Sequence, residues 1–91
     1  MIKHNTYFDG NVQSLGFERL GRRMTVGVLA PGEYHFATAA PERMTVISGE
    51  ISVKTLAEWR AYPAGTVFEV PGESSFDVHA EGPAAYLCEF L

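Results

Sequence analysis

Apolar and polar residues alternate with a period of two along most of the chain, and Gly or Pro breaks the alternation about every eight to twelve residues, as in all-β sandwiches and barrels. The pattern predicts strands at 24–29 (MTVGVL), 33–38 (EYHFAT), 43–48 (RMTVIS), 50–55 (EISVKT), 66–71 (TVFEVP), 75–80 (SFDVHA) and 85–91 (AYLCEFL). The segment 56–65, LAEWRAYPAG, has mild helical propensity in its first half, but Pro63 and Gly65 close it too soon for a long helix. It is expected to be an edge strand and turn. No repeat, low-complexity tract or linker divides the chain, so residues 1–91 are expected to share one core as a single domain.

Strand side chains switch faces at every residue, so the alternation also assigns an interior. In EYHFAT, Glu33 and His35 point out, and Tyr34, Phe36 and Thr38 point in. In SFDVHA, Asp77 and His79 point out, and Phe76 and Val78 point in. In the last strand Tyr86, Cys88 and Phe90 point in, with Leu87 and Glu89 outside. His35 and His79 therefore read as solvated strand residues rather than chemistry.

The 91 residues suffice for one domain, and 46% hydrophobic, 12% aromatic and 20% charged residues describe an ordinary soluble one. No apolar run approaches the ~18 residues of a membrane span. Seven basic against eleven acidic residues give a net charge of −4, with no dense basic run, so nucleic acid is not an expected partner. The opening MIKHNTYFDG lacks an apolar signal region, and the single cysteine, Cys88, cannot form an internal disulfide. A cytoplasmic location is expected.

The stretch 31–50, PGEYHFATAAPERMTVISGE, has the spacing of the first cupin motif, in which a glycine turn precedes H-x-H, then Glu, then Gly. Counting back from Gly49 places Glu42 at the glutamate and Thr38 and Phe36 at the two histidines. The second motif, G-x5-P-x-G-x2-H, resembles 65-GTVFEVPGESSF-76, with Phe76 at the third histidine. The resemblance implies an all-β, single-domain cupin, a small jelly-roll β-barrel. Its metal ligands are replaced by Phe36, Thr38 and Phe76, and one carboxylate cannot hold a divalent ion that needs three or four converging donors. No metal and no cofactor are expected. What remains is a concave apolar pocket with a few polar groups at its mouth.

Nearly the whole chain is similar to the short bacterial pyrimidine/purine nucleoside phosphorylase family. The resemblance rests on 7-YFDGNVQSLGF-17, 25-TVGVLAPGEYHFATAAPERMTVISG-49, 59-WRAYPAGTVFEVPGESSF-76 and 86-YLCEFL-91, with Leu29 where the family commonly has Met. It implies reversible phosphorolysis: nucleoside plus phosphate, as co-substrate, gives free base plus α-D-ribose 1-phosphate. Displacement at the anomeric carbon passes through an oxocarbenium-like state, so such a site needs a phosphate-binding cation, acceptors for the ribose hydroxyls and an apolar slot for the base.

For phosphate, Arg23 has the fork and permanent charge suited to an oxyanion, with Arg22 and Arg43 as alternatives and the hydroxyl of Ser74 or Ser75 as added donor. For ribose, Glu42 is the acceptor, joined by Thr38. For the base, Phe36, Phe76 and Tyr86 are the stacking candidates, and a slot of aromatic faces with few directed polar groups would discriminate weakly between bases. Cys88 reads as a buried structural thiol. Two rival readings stay open: a cupin that binds a sugar or nucleoside without turnover, and a metal cupin using Glu42 with His35 or His79. A homodimer is expected, because a barrel this small leaves strand edges to cover and the segment 5–17 carries Tyr7, Phe8, Leu15 and Phe17 with little core of its own.

Overall fold

The computed structural model describes residues 1–55 and 58–91. They form ten strands: β1 (Lys3–Tyr7), β2 (Val12–Arg19), β3 (Arg22–Leu29), β4 (Gly32–Thr38), β5 (Glu42–Ser48), β6 (Glu50–Thr55), β7 (Glu58–Pro63), β8 (Val67–Val70), β9 (Ser74–Ala80) and β10 (Ala84–Phe90). A single 3-10 turn, Phe8–Gly10, links β1 to β2. Backbone pairing makes a six-stranded sheet, β1-β2-β3-β10-β5-β8, and a four-stranded sheet, β4-β9-β6-β7. The observed pairs are antiparallel. The all-β, cupin-type expectation holds as a two-sheet sandwich. Among the described residues, pairing does not join the sheets into one closed cylinder.

The strands expected from 24 to 91 are all present, within a residue or two at their ends. Most of the segment 56–65 forms β7, an edge strand as expected, while residues 56 and 57 lie outside the described ones. The N-terminal part differs from expectation. The segment 5–17 does not lack a core: it holds most of β1 and β2, which extend the six-stranded sheet, and it buries Val12 and Ser14. The alternation hid these strands. The inward positions of β2 hold Val12, Ser14 and Gly16, while the outward Leu15 stays 49% exposed.

The core is the inner face of both sheets, as the alternation required. Ile51, Val53, Phe76 and Val78 from one sheet meet Val12, Leu29, Val46, Phe68 and Tyr86 from the other, all buried. Two glycines shape this interior. Gly49 turns β5 into β6 with φ of +79°, a left-handed conformation that costs little only without a Cβ. Gly27 sits opposite Tyr86 in the β3–β10 register, and a Cβ there would clash with the hydroxyl end of the Tyr86 ring. The ring thus lies across the bare backbone of β3, lowering the floor of the sandwich where Tyr86 crosses it.

Candidate functional site

The sandwich holds a cavity of about 370 Å³, partly open to solvent and within the range of small-molecule pockets. Arg23 and Thr25 of β3, Glu42 and Met44 of β5, and Tyr86, Cys88 and Phe90 of β10 form its floor on the six-stranded sheet. Phe36 of β4, Ile51 of β6, and Phe76 and Val78 of β9 form the facing wall. Tyr7 and Ser14, from the strands the alternation hid, also line it. Their signal in the sequence was a serine at an inward strand position.

Glu42 is half-buried and faces this cavity. Its one observed side-chain partner is Cys88, whose thiol donates to Oε1 at 3.4 Å. Among the described residues Glu42 makes no ion pair. Burial therefore pushes its carboxyl above the usual carboxylate range, with the thiol bond pulling weakly the other way. Burial and the adjacent Glu42 charge push the Cys88 thiol up, and burial pushes the Tyr86 hydroxyl up, so both stay protonated at neutral pH. Cys88 is buried, as expected, and is also the neighbour that holds the carboxylate, a contact the alternation alone could not show.

The three arginines separate cleanly. Arg22 pairs with Glu89 (3.8 Å) and Arg43 with Glu69 (3.2 Å), both on the convex face of the six-stranded sheet. Arg23, one residue out of phase with Arg22, turns to the concave face, with its guanidinium carbon 5.2 Å from the centre of the Phe90 ring. It makes no ion pair among the described residues.

The aromatic candidates Phe36, Phe76 and Tyr86 all reach the cavity. Phe36 and Phe76 stack on each other at 5.7 Å with an interplanar angle of 26°, and Phe8 meets Phe36 edge-on at 5.5 Å. They form one wall rather than two jaws. Two candidates are not brought in. Thr38 is buried where β4 meets β9, its hydroxyl donating to the Pro71 carbonyl (2.7 Å) and accepting from the Ser74 N–H (3.0 Å), so it ties strand ends together. Ser75 follows the parity of Asp77, exposed and away from the cavity lining, and Ser74 is likewise exposed.

The residues do not fit a metal. Among the described residues no three His, Cys, Asp or Glu side chains converge as ligands. His35 bonds Asp77 (2.7 Å) and His79 meets the Trp59 edge, both on the outer face of the four-stranded sheet, opposite to Glu42. What the cavity offers is one cation, one carboxylate with a raised pKa, and an apolar, aromatic interior. That set suits a ligand with an anionic group, hydroxyl donors and a flat apolar part.

A family model described as pyrimidine/purine nucleoside phosphorylase matches residues 2–90. Proteins of that name in Sorangium cellulosum and Vibrio cholerae are 67% and 58% identical over 93 aligned residues, covering 100% of this chain and 100% and 98% of theirs. A solved structure of a protein of unknown function from Vibrio parahaemolyticus superposes with a TM-score of 0.97 at 50% identity, covering 100% of this chain and 99% of that one. A cupin superfamily protein from Desulfitobacterium hafniense superposes with a TM-score of 0.76 at 14% identity, over 88% of this chain and 76% of that one, a likeness of fold.

Proposed function

The chain belongs to the pyrimidine/purine nucleoside phosphorylase family and is an enzyme of that type, and we propose that its cavity transfers the pentosyl group of purine and pyrimidine nucleosides to inorganic phosphate. A phosphate oxygen forms a bond to the anomeric carbon as the glycosidic C–N bond breaks. The bonding pair leaves with the base, which takes up the proton that the hydrogen phosphate gives up, and the products are free base and α-D-ribose 1-phosphate. The observation that carries the reading is that one cavity brings Arg23 and Glu42 of one sheet against the aromatic wall of the facing sheet. Arg23 holds the phosphate, Glu42 accepts from the ribose hydroxyls, and Phe36, Phe76 and Tyr86 line the base. No metal or cofactor takes part in this mechanism.

Ribose also resolves the electrostatics of Glu42. A half-buried carboxylate whose only observed partner is a thiol lacks donors, and two vicinal hydroxyls supply them. As positive charge grows on the sugar, the same carboxylate stabilises it. The wall of aromatic and aliphatic faces has few directed polar groups, so acceptance of both base classes is part of the proposal. The rival reading, binding without turnover, would leave Arg23 facing the cavity with no task.

The test is release of free base from a panel including uridine and adenosine, with and without phosphate and with EDTA. Base release that needs phosphate and survives EDTA is the expected result. Equal release without phosphate makes the protein a hydrolase, and loss on chelation with recovery by one divalent ion makes it a metalloenzyme.

A homodimer in the cytoplasm is part of the same proposal. On the convex face of the six-stranded sheet Leu15, Val26, Leu87, Thr45 and Val67 lie in one cross-strand row, with Val28 and Ile47 beside it. Leu15, Val26, Val28, Ile47 and Val67 are 41% to 54% exposed. The alternating charges of Arg22, Glu89, Arg43 and Glu69 border this patch, so a second copy turned by a two-fold axis meets apolar with apolar and opposite charge with charge. Sedimentation should give twice the 10.0 kDa chain mass, and Val26→Glu should return a folded, 10.0 kDa species. A wild type that sediments as a monomer at micromolar concentration removes the dimer.

A further inference from the structure

Beside the cavity lies an open recess of about 750 Å³, and the two share Tyr7, Arg23, Thr25 and Phe90 as a common border. The recess is built by β1. Lys3, Asn5 and Tyr7 alternate onto the concave face of the sheet, while His4 turns to the convex side and bonds Gln13 at 2.9 Å. Asn5 is already anchored, donating to Ser14 Oγ at 3.3 Å, which leaves its second amide hydrogen free to serve.

The cross-strand register shows what this adds. One row runs Lys3, Gly16, Thr25, Cys88, Met44, Phe68 across β1, β2, β3, β10, β5 and β8. It passes from a cation through a bare glycine and a hydroxyl to an apolar end. Gly16 puts no side chain between Lys3 and Thr25, so the recess stays open toward the cavity. Lys3 and Arg23 face the recess against one carboxylate, Glu18, leaving a surplus of one positive charge. The cavity alone supplies a single cation, Arg23, which is little for a dianion that must approach another anionic group, Glu42.

We propose that inorganic phosphate binds in the recess between β1 and β3, held by Arg23 and Lys3, with the Asn5 amide and the Tyr7 hydroxyl as neutral donors. The nucleoside fills the cavity, and the anomeric carbon lies at the shared border. β1 is thus a part of the phosphate site, and Lys3 a binding residue specific to that substrate. This rests on the phosphorolytic reading above.

Lys3→Gln tests it, with Lys54→Gln as control because Lys54 lies against Trp59 on the other sheet. Initial rates are taken against phosphate at saturating uridine and against uridine at saturating phosphate, at a fixed ionic strength of ~0.1 M so that screening is constant. Lys3→Gln should raise the KM for phosphate ~10-fold or more, leave the KM for uridine within about twofold, and be restored in part by Lys3→Arg. Calorimetric titration of inorganic phosphate into each protein without nucleoside reads the site whether or not there is turnover, and should show weaker binding by Lys3→Gln alone. Phosphate binding and phosphate KM equal in Lys3→Gln and Lys54→Gln overturn this proposal while leaving phosphorolysis standing. Base release by the wild type that ignores phosphate overturns the phosphorolytic reading instead, and the titration then still decides whether the recess takes phosphate.

Discussion

Glu42→Gln is expected to lower kcat/KM for uridine and adenosine by ~10- to 1,000-fold while raising the melting temperature above that of the wild type at neutral pH. The two effects share one cause. Glu42 lies half-buried with only the Cys88 thiol donating to it, so its ionised form is poorly solvated until a substrate arrives. Gln keeps the shape and one acceptor oxygen and removes the charge, which relieves the empty protein and deprives the ribose of its anionic partner. The sign with pH follows from the raised pKa. The folded protein holds the Glu42 proton more tightly than the unfolded chain does, where the carboxyl has its ordinary value of 4.5. As pH rises from there through the folded value, the wild type loses stability that Gln never had to lose. The melting-temperature gap should therefore be smallest below about pH 4.5, widen as pH rises and stay constant once Glu42 is fully ionised. Kinetics of the variant on both nucleosides equal to wild type would remove Glu42 from the site and leave it a half-buried residue at the start of β5. A variant less stable than wild type at neutral pH would mean that other donors already compensate the carboxylate.

Much of this arrangement was legible in the sequence because burial in a sandwich enforces the two-residue period. Tyr34, Phe76, Val78, Tyr86 and Cys88 turn inward as the alternation required, and Glu42 reaches the cavity as the cupin spacing required. The failures have physical causes. β1 carries Lys3, His4, Asn5 and Thr6, polar on both faces, because its inner face lines an open recess rather than a packed core. A strand that borders a polar site lacks the apolar signal that reveals strands. Thr38 matched a ligand position in spacing, yet its hydroxyl is consumed by the backbone of Pro71 and Ser74, a use that only the closure of β4 against β9 reveals. Ser75 fails on parity, since it shares the outward face with Asp77. The choice among Arg22, Arg23 and Arg43 was open in the sequence and is separated by the ion pairs that occupy two of them.

Arg23→Gln is expected to cost ~100-fold or more in kcat/KM for phosphate, with Arg22→Gln and Arg43→Gln each within about twofold of wild type. Arg22 and Arg43 are spent on Glu89 and Glu69 at the convex surface, where exposed pairs are worth only ~0 to 1 kcal/mol and their loss changes neither fold nor cavity. Arg23 faces the border between cavity and recess, unpaired among the described residues, with its guanidinium over the Phe90 ring. On the proposed reading this guanidinium meets two oxygens of the phosphate at once, an interaction that strengthens as charge redistributes during transfer. Arg23→Lys separates charge from shape: it keeps the cation and loses the fork, so it should recover part of the phosphate dependence and none of the bidentate geometry. Because Arg23 also packs on Phe90, the melting temperature of each variant is measured beside its kinetics. An Arg23→Gln protein that melts like wild type and turns over phosphate like wild type would leave the cavity without the cation that phosphorolysis needs. One that loses activity equally against phosphate and uridine, without a selective rise in the KM for phosphate, would place Arg23 on the nucleoside instead.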